Sequence, residues 1–151
     1  MSSDRTLKQI VELTRSECLT LLARTSVGRV VVTIADKPMI RPVNYRFDAP
    51  SQSVVFRTSR GSKFYALANS ARAAFEIDAI DETARCGWSV IIMGITEEVT
   101  QPVDIQRLDR LGLESWAPEP EPHWIRIRAQ VVSGRRILPA PAMPYPGKAS
   151  G

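Results

Sequence analysis

Apolar and polar residues alternate along much of the chain in short runs that turn residues separate. Six such runs predict β-strands, over residues 29–34, 39–47, 53–58, 73–78, 88–96 and 124–132. Turn residues at 35–38 and 48–52 join the first three of these strands as hairpins. Because strands and helices do not follow one another in the order β-α-β, the pattern favours an antiparallel barrel over a parallel sheet.

Two residues within the predicted strands indicate how the sheet is shaped. Pro42 has no backbone N–H to donate, so the strand over 39–47 is expected at a sheet edge or at a bulge. Gly94 interrupts the longest apolar run, as a glycine often does at the bend of a barrel corner.

Three segments predict short helices between the strands. Thr14 and Glu17 have the spacing of a capping box, and the helix that they open should end near Thr25. A second helix is predicted over 63–69. After Pro102, apolar residues recur at helical spacing among charged neighbours, which predicts a surface helix.

The 151 residues are 44% hydrophobic and 24% charged, which is typical of one globular domain. We expect that domain over residues 1–137 and a proline-rich tail over 138–151. No apolar stretch approaches the roughly 20 residues that cross a bilayer, and no signal peptide is recognisable, so a cytoplasmic protein without membrane contact is expected. Cys18 and Cys86 fit reduced thiols that fill apolar space.

Positive charge is concentrated in one part of the chain. Residues 41–63 contain five basic side chains and one acid, whereas residues 76–121 contain eleven acids and three arginines. Such a local field suits a small anionic ligand. Nucleic acid is not an expected partner, because the chain lacks interleaved aromatic and basic residues on a broad basic face.

Several classes of enzyme need residues that the chain does not have. His123 is the single histidine, so no zinc site built on a histidine cluster is available, and no metal site is expected. No G-x-S-x-G motif accompanies His123, which argues against a serine hydrolase. Gly61-Ser62-Lys63 lacks the earlier glycine of a nucleoside-triphosphate-binding loop.

One cluster has the chemistry of an anion site. A strand that ends in Arg57 and Thr58 is followed by a short loop and by a helix start at Ser62 and Lys63. Hydroxyls, exposed amides and cations converge there, as they do around a bound phosphate. A capped helix with solvated basic side chains is the alternative, and spacing alone does not separate the two interpretations.

Two further clusters could contact a flat polar molecule. Pro42 interrupts its β-ladder and so frees neighbouring backbone groups and the Asn44 amide to address the edge of a polar ring. Trp88 stands at the start of the longest strand, where an indole either packs in a core or interface or stacks on a cofactor.

Taken together and in this order, the segments resemble the pyridoxamine 5'-phosphate oxidase-like, FMN-binding split-barrel family over roughly Leu13–Ile137. The residues that carry the resemblance are 26–30, 41–45, 55–58, 61–63, 74–78, 87–90 and 133–137. The family implies a mainly β, six-stranded antiparallel split β-barrel with a few short helices. It also implies a homodimer with two symmetry-related flavin clefts between the protomers.

The resemblance assigns nine residues to the flavin. They are Pro42, Val43 and Asn44 along the isoalloxazine ring, Arg57, Thr58, Ser62 and Lys63 along the ribityl chain and phosphate, and Trp88 and Ser89 from the partner subunit. The implied phosphate site therefore coincides with the anion cluster recognised from residue chemistry. No catalytic acid, base or nucleophile is implied.

The leading hypothesis is a dimeric flavoprotein that uses FMN to transfer two electrons to or from an unidentified small molecule. Pyridoxamine phosphate is not the expected substrate, because the chain ends in a proline-rich tail instead of the substrate-recognising segment of those oxidases. A deazaflavin coenzyme is one alternative, with Arg60 or Arg126 on its acidic tail. A non-catalytic module that binds flavin or haem is another, with His123 as a candidate axial ligand.

Overall fold

The computed structural model describes residues 9–59, 71–118 and 120–139. Within these ranges the chain forms nine strands and two helices. The strands β1 to β9 are Ile10–Glu12, Val27–Ile34, Lys37–Asn44, Arg46–Asp48, Ser53–Ser59, Arg72–Asp81, Cys86–Glu98, Pro122–Arg128 and Val131–Ile137. The helices are α1, Arg15–Arg24, and α2, Pro102–Asp109. The helix expected over 63–69 lies outside the described residues.

The strands form a strongly curled antiparallel sheet in the order β3-β2-β6-β7-β8-β5-β4, with β9 joined to β7 and to β1. Strand β7 connects the two halves of the sheet: residues 87–93 pair with β9, whereas residues 96–98 pair with β8. Strands β3 and β4 stand at the two ends of this order, so the half-barrel has a split between them. The expected split-barrel class is confirmed.

Gly94 lies where β7 changes partner from β9 to β8. A Cβ atom at this position would stand 2.5 Å from the backbone oxygen of Arg128, so the two chain segments approach each other more closely than a side chain allows. The barrel corner expected at Gly94 is confirmed. The edge expected at Pro42 is confirmed as well, because β3 ends the strand order with β2 as its neighbour.

The six predicted strands become nine because two of them are divided and one strand is added. The run over 39–47 breaks at Tyr45, whose buried hydroxyl donates to the backbone oxygen of Leu22 at the end of α1 (2.7 Å). The run over 124–132 breaks after Arg128, and β9 continues to Ile137. Strand β1 is the added segment.

Two clusters of apolar side chains fill the structure. The larger one lies inside the half-barrel against α1, and the smaller one lies beneath α2. The larger cluster includes Cys18, Leu22, Val30, Val32, Tyr45, Phe56, Phe75, Ile77, Ile92, Ile125 and Ile127. The smaller cluster consists of Val55, Val99, Leu108, Leu113 and Trp124, with Ile105 and Leu111 packed against it.

Both described helices begin where the sequence predicts, and α1 also ends there. The Thr14 hydroxyl accepts from the Glu17 backbone N–H at 3.2 Å, and α1 stops before Thr25. Helix α2 carries Pro102 in its first turn and buries Leu108. Cys18 is buried and Cys86 is half-buried, and both are free thiols, as expected. In the described parts of the chain, no helix has the length and apolar character needed to span a membrane.

Candidate functional site

A cleft of about 520 Å³ opens at the barrel split, between the C-terminal ends of β3 and β5. Its third wall is the segment that leads from α2 to β8. The lining residues are Arg41, Pro42, Val43, Asn44, Phe56, Arg57, Thr58, Leu113, Glu114, Ser115, Ala117, Pro118 and Pro122. The structure thus brings together five of the nine residues that the sequence assigns to a ligand: Pro42, Val43, Asn44, Arg57 and Thr58.

Arg57 is the cationic centre of the β5 wall. Its guanidinium lies 5.2 Å from the centroid of the Trp124 ring, its neighbour on β8, and Nη2 donates to the backbone oxygen of Leu113 at 2.7 Å. Nε is buried and donates to no residue of the described chain. A buried charged donor without an acceptor is costly, so this atom fits an oxygen of a bound ligand.

The segment from Leu111 to Pro118, here called the strap, is held against both sides of the split. On the β3 side, Asn44 Oδ1 accepts from the Trp116 backbone N–H at 2.9 Å. On the β5 side, Arg57 binds the Leu113 oxygen as described above. Arg46 adds bonds from Nε to the oxygen of Leu111 (3.3 Å) and from Nη2 to that of Gly112 (3.2 Å).

Sequence reasoning missed the strap. The sequence analysis assigned no residue between the surface helix after Pro102 and the strand over 124–132 to the site. The one local signal is Gly112, whose φ of +68° is a conformation that glycine adopts readily. The hydrogen bonds that hold the strap join residues 56 to 72 positions apart, and no local pattern predicts them.

Thr58 ends the polar part of the β5 wall and is 3% exposed. Its cross-strand partner is His123, whose Nδ1 lies 3.1 Å from Glu98 Oε1. His123 is half-buried and paired with a carboxylate at the end of β7. Thr58 also lines the cleft.

Of the remaining predicted ligands, Trp88 and Ser89 do not line this cleft within one chain. Trp88 and Ser89 line a second cavity of about 440 Å³, which Arg135 and Asp78 also line. Trp88 is half-buried and packs against the larger apolar cluster inside the half-barrel. Ser62, Lys63 and Arg60 lie outside the described residues.

An acidic pair borders the second cavity on the outer face of the sheet. Arg29 Nη1 lies 3.4 Å from Glu76 Oε1 and 3.1 Å from Asp78 Oδ2. Burial and the adjacent Asp78 carboxylate raise the pKa of Glu76 to about 7, although Arg29 acts in the opposite direction. Glu76 therefore titrates near neutral pH.

Comparison with known proteins decides the family. The sequence profile described as pyridoxamine 5'-phosphate oxidase matches residues 14–136. The chain belongs to the pyridoxamine 5'-phosphate oxidase family. The family resemblance derived from the sequence is confirmed, and the match covers every described element except β1 and the final residue of β9.

Three relatives of this oxidase-family chain illustrate the likeness. The uncharacterized protein Rv0080 of Mycobacterium tuberculosis is 37% identical over 142 residues, which is 91% of each chain. The solved structure of an FAD binding protein from Mycobacterium smegmatis has a TM-score of 0.71 at 32% identity and covers 83% of this chain and 96% of its own. A conserved protein of unknown function from Corynebacterium diphtheriae has a TM-score of 0.72 at 37% identity, covering 85% and 98%.

Proposed function

We propose that the chain binds FMN in the cleft at the barrel split and works as a flavoprotein that transfers two electrons to or from a small molecule. The observation that carries this proposal is the buried Nε of Arg57, a charged donor without an acceptor on the wall of a cleft that Pro42, Val43 and Asn44 complete. A ligand that combines a polar flat ring with an anionic tail meets both requirements of that cleft.

The residues at each end of the cleft fit the two parts of a flavin nucleotide. Pro42, Val43 and Asn44 offer a flat wall and an amide for a ring, while Arg57 and Thr58 offer a cation and a hydroxyl for a ribityl chain and phosphate. The bound flavin supplies the electron-transfer chemistry itself. The contribution of the protein is to orient the ring along Pro42, Val43 and Asn44 and to hold the anionic tail through Arg57.

We further propose that the protein is a homodimer. On the outer face of the sheet, five apolar side chains from five neighbouring strands stand in one cross-strand row. They are Ile40, Val31, Ala74, Met93 and Val131. Ile40, Met93 and Val131 are 67%, 50% and 53% exposed, and a second copy that covered this row would remove them from water.

The proposed dimer also gives Trp88 and Ser89 a role. Both residues line the second cavity, beside the acidic pair of the outer face, and do not line the cleft of their own chain. If two copies pack through this face, Trp88 and Ser89 of the partner subunit can complete the cleft, as the family resemblance implies. Each of the two clefts would then be built by both protomers.

The decisive experiment is to purify the protein and to record the visible spectrum and the mass of any molecule that it carries. FMN is the expected result. FAD is the second candidate, because the 32% identical Mycobacterium smegmatis protein is named as an FAD binding protein. A deazaflavin or a haem would replace the proposed cofactor, and a protein that binds none of these after incubation would contradict the proposal.

Turnover is tested on the loaded protein. Reduction of the bound flavin by a nicotinamide or by an added small reductant, followed by reoxidation with an electron acceptor, is the expected result. A stable, stoichiometric complex that no donor reduces would indicate a storage or sensing module instead. The cytoplasmic location stays a prediction.

A further inference from the structure

The strap and the cleft share the side chain of Asn44. Its Oδ1 accepts from the Trp116 backbone N–H, and because a backbone N–H can only donate, the amide oxygen must be the atom turned toward the strap. The amide nitrogen Nδ2, with two hydrogens, remains on the same side chain. No described residue accepts a hydrogen bond from it.

Arg57 likewise binds the strap with one group and keeps another group for the cleft. Its Nη2 is bound to the oxygen of Leu113, whereas its Nε is buried without an acceptor. The strap therefore occupies one hydrogen-bonding group of Asn44 and one of Arg57. On both side chains, the group left over is a donor.

We propose that the strap fixes Asn44 as a one-way hydrogen-bond donor to the ligand, so that the site selects a planar ring that presents an acceptor atom at this position. A ring carbonyl oxygen or an unprotonated ring nitrogen satisfies Nδ2. A ring that presents an N–H there would oppose donor to donor. This proposal rests on the proposed function, and it adds the polarity with which the cleft recognises the ring edge.

The strap makes this selection effective because it removes the freedom of the amide to turn. An unrestrained asparagine can rotate and offer either its oxygen or its nitrogen to a ligand. In this cleft, rotation would break the bond to Trp116 and leave two N–H groups facing each other. Discrimination by hydrogen bonding is strongest where a mismatched ligand leaves a polar group unpaired.

The test compares Asn44→Asp with Asn44→Ala. An aspartate has nearly the same shape and can still accept from the Trp116 N–H, but its carboxylate cannot donate to a ring. We expect Asn44→Asp to keep the Trp116 amide protected from hydrogen exchange and to weaken binding of FMN and of riboflavin alike, each about tenfold or more. Asn44→Ala should lose both the amide protection and the affinity.

Two controls separate the lost donor from other effects of the substitution. Riboflavin has no phosphate, so its loss of affinity does not arise from repulsion between the new carboxylate and a phosphate. Gln130→Glu introduces one negative charge at the exposed turn between β8 and β9, at the far end of β8 from Pro122, and should leave both affinities unchanged.

The outcomes distinguish this proposal from the proposed function. If the unaltered protein binds flavin and Asn44→Asp binds it equally well, the donor role of Asn44 is wrong while flavin binding stands. If Asn44→Asp exposes the Trp116 amide, the substitution acts through the strap and the proposal is overturned. If the unaltered protein binds no flavin, the proposed function and the donor role both fail, whatever the exchange of the Trp116 amide.

Discussion

At the scale of single residues, charge and hydrogen-bond polarity divide the cleft into two ends. In the proposed complex, Asn44 contacts the ring end of the ligand and Arg57 its anion end, where the sequence also assigns Ser62 and Lys63. Substitutions at the two ends should therefore respond differently to removal of the ligand's phosphate.

Lys63→Ala tests the anion end. A charge-assisted contact with a phosphate contributes about 1.5 to 3 kcal/mol, so this substitution should weaken FMN binding about tenfold or more. Riboflavin should bind the unaltered protein more weakly than FMN does and should be almost indifferent to the substitution. A fluorescence titration measures all four affinities, and equal losses for FMN and riboflavin would mean that Lys63 acts through folding or assembly.

Glu76→Gln tests the acidic pair on the outer face. Since the pKa of Glu76 is raised to about 7, the folded chain holds a proton that the unfolded chain releases at about pH 4.3. The contribution of Glu76 to stability is thus full at low pH and is lost as pH rises through 7. At pH 8, the free energy of unfolding of the glutamine variant should exceed that of the unaltered protein by on the order of 1 kcal/mol. Near pH 4 the two free energies should be equal.

Urea denaturation at several pH values measures this difference. Glu82→Gln, at an exposed acid in the turn between β6 and β7, is the matched control and should leave the pH profile unchanged. If Glu76→Gln and the unaltered protein keep the same difference in stability from pH 4 to pH 8, Glu76 does not titrate near neutrality.

The residue chemistry of the site was only partly predictable from the sequence. Pro42 and Asn44 were predicted because a proline interrupts the β-ladder of its strand, and Arg57 was predicted because it ends a strand before a loop and a helix start. The bond between Asn44 and Trp116 could not be found, because it joins residues 72 positions apart across a split that exists only in the folded sheet. Sequence spacing therefore identified the donors of the cleft but not the segment that orients them.

At the scale of elements, the predictable strands are those with one clean apolar face. Strands β2, β5 and β6 bury alternate or successive apolar side chains and were predicted within a few residues. Strand β9 was predicted only in its first two residues, because its sequence VVSGRRI has little alternation and its side chains are mostly exposed or half-buried. Its existence depends on pairing with β7 and β1, which is long-range information.

Gly94→Ala tests the corner of the barrel. The new Cβ would approach the Arg128 oxygen to 2.5 Å, and backbone cannot move aside as a flexible side chain can. Overpacking of this kind costs about 1 to 3 kcal/mol, so the free energy of unfolding should fall by that amount. Ser133→Ala, at an exposed position on β9, should change it little, and a Gly94→Ala variant as stable as the unaltered protein would show that the corner tolerates a wider spacing.

At the scale of the whole molecule, one surface remains to be explained. The cleft has walls from β3, β5 and the strap, but two of the residues assigned to the same ligand, Trp88 and Ser89, line a different cavity. The apolar row on the outer face offers a connection between the two sites. In the proposed dimer, this face would bury the row and would bring a partner's residues to each cleft. Assembly and ligand binding should therefore be lost together.

Met93→Asp tests this coupling within the row. Met93 is 50% exposed in one protomer, so a carboxylate there is tolerated by the fold but would be buried without a partner in the proposed dimer. We expect the unaltered protein to sediment as a dimer at micromolar concentration and the variant to sediment as a monomer. The variant should also bind FMN at least tenfold more weakly, since each cleft loses the partner's contribution, while its unfolding transition remains cooperative.

Val103→Asp is the matched control, because Val103 is 70% exposed on α2, away from the apolar row. It should leave both the sedimentation and the affinity unchanged. A monomeric unaltered protein would contradict the dimer and the shared cleft together. A monomeric Met93→Asp variant that binds FMN normally would leave the dimer in place and show that one chain builds its cleft alone, with Trp88 and Ser89 taking no part in it.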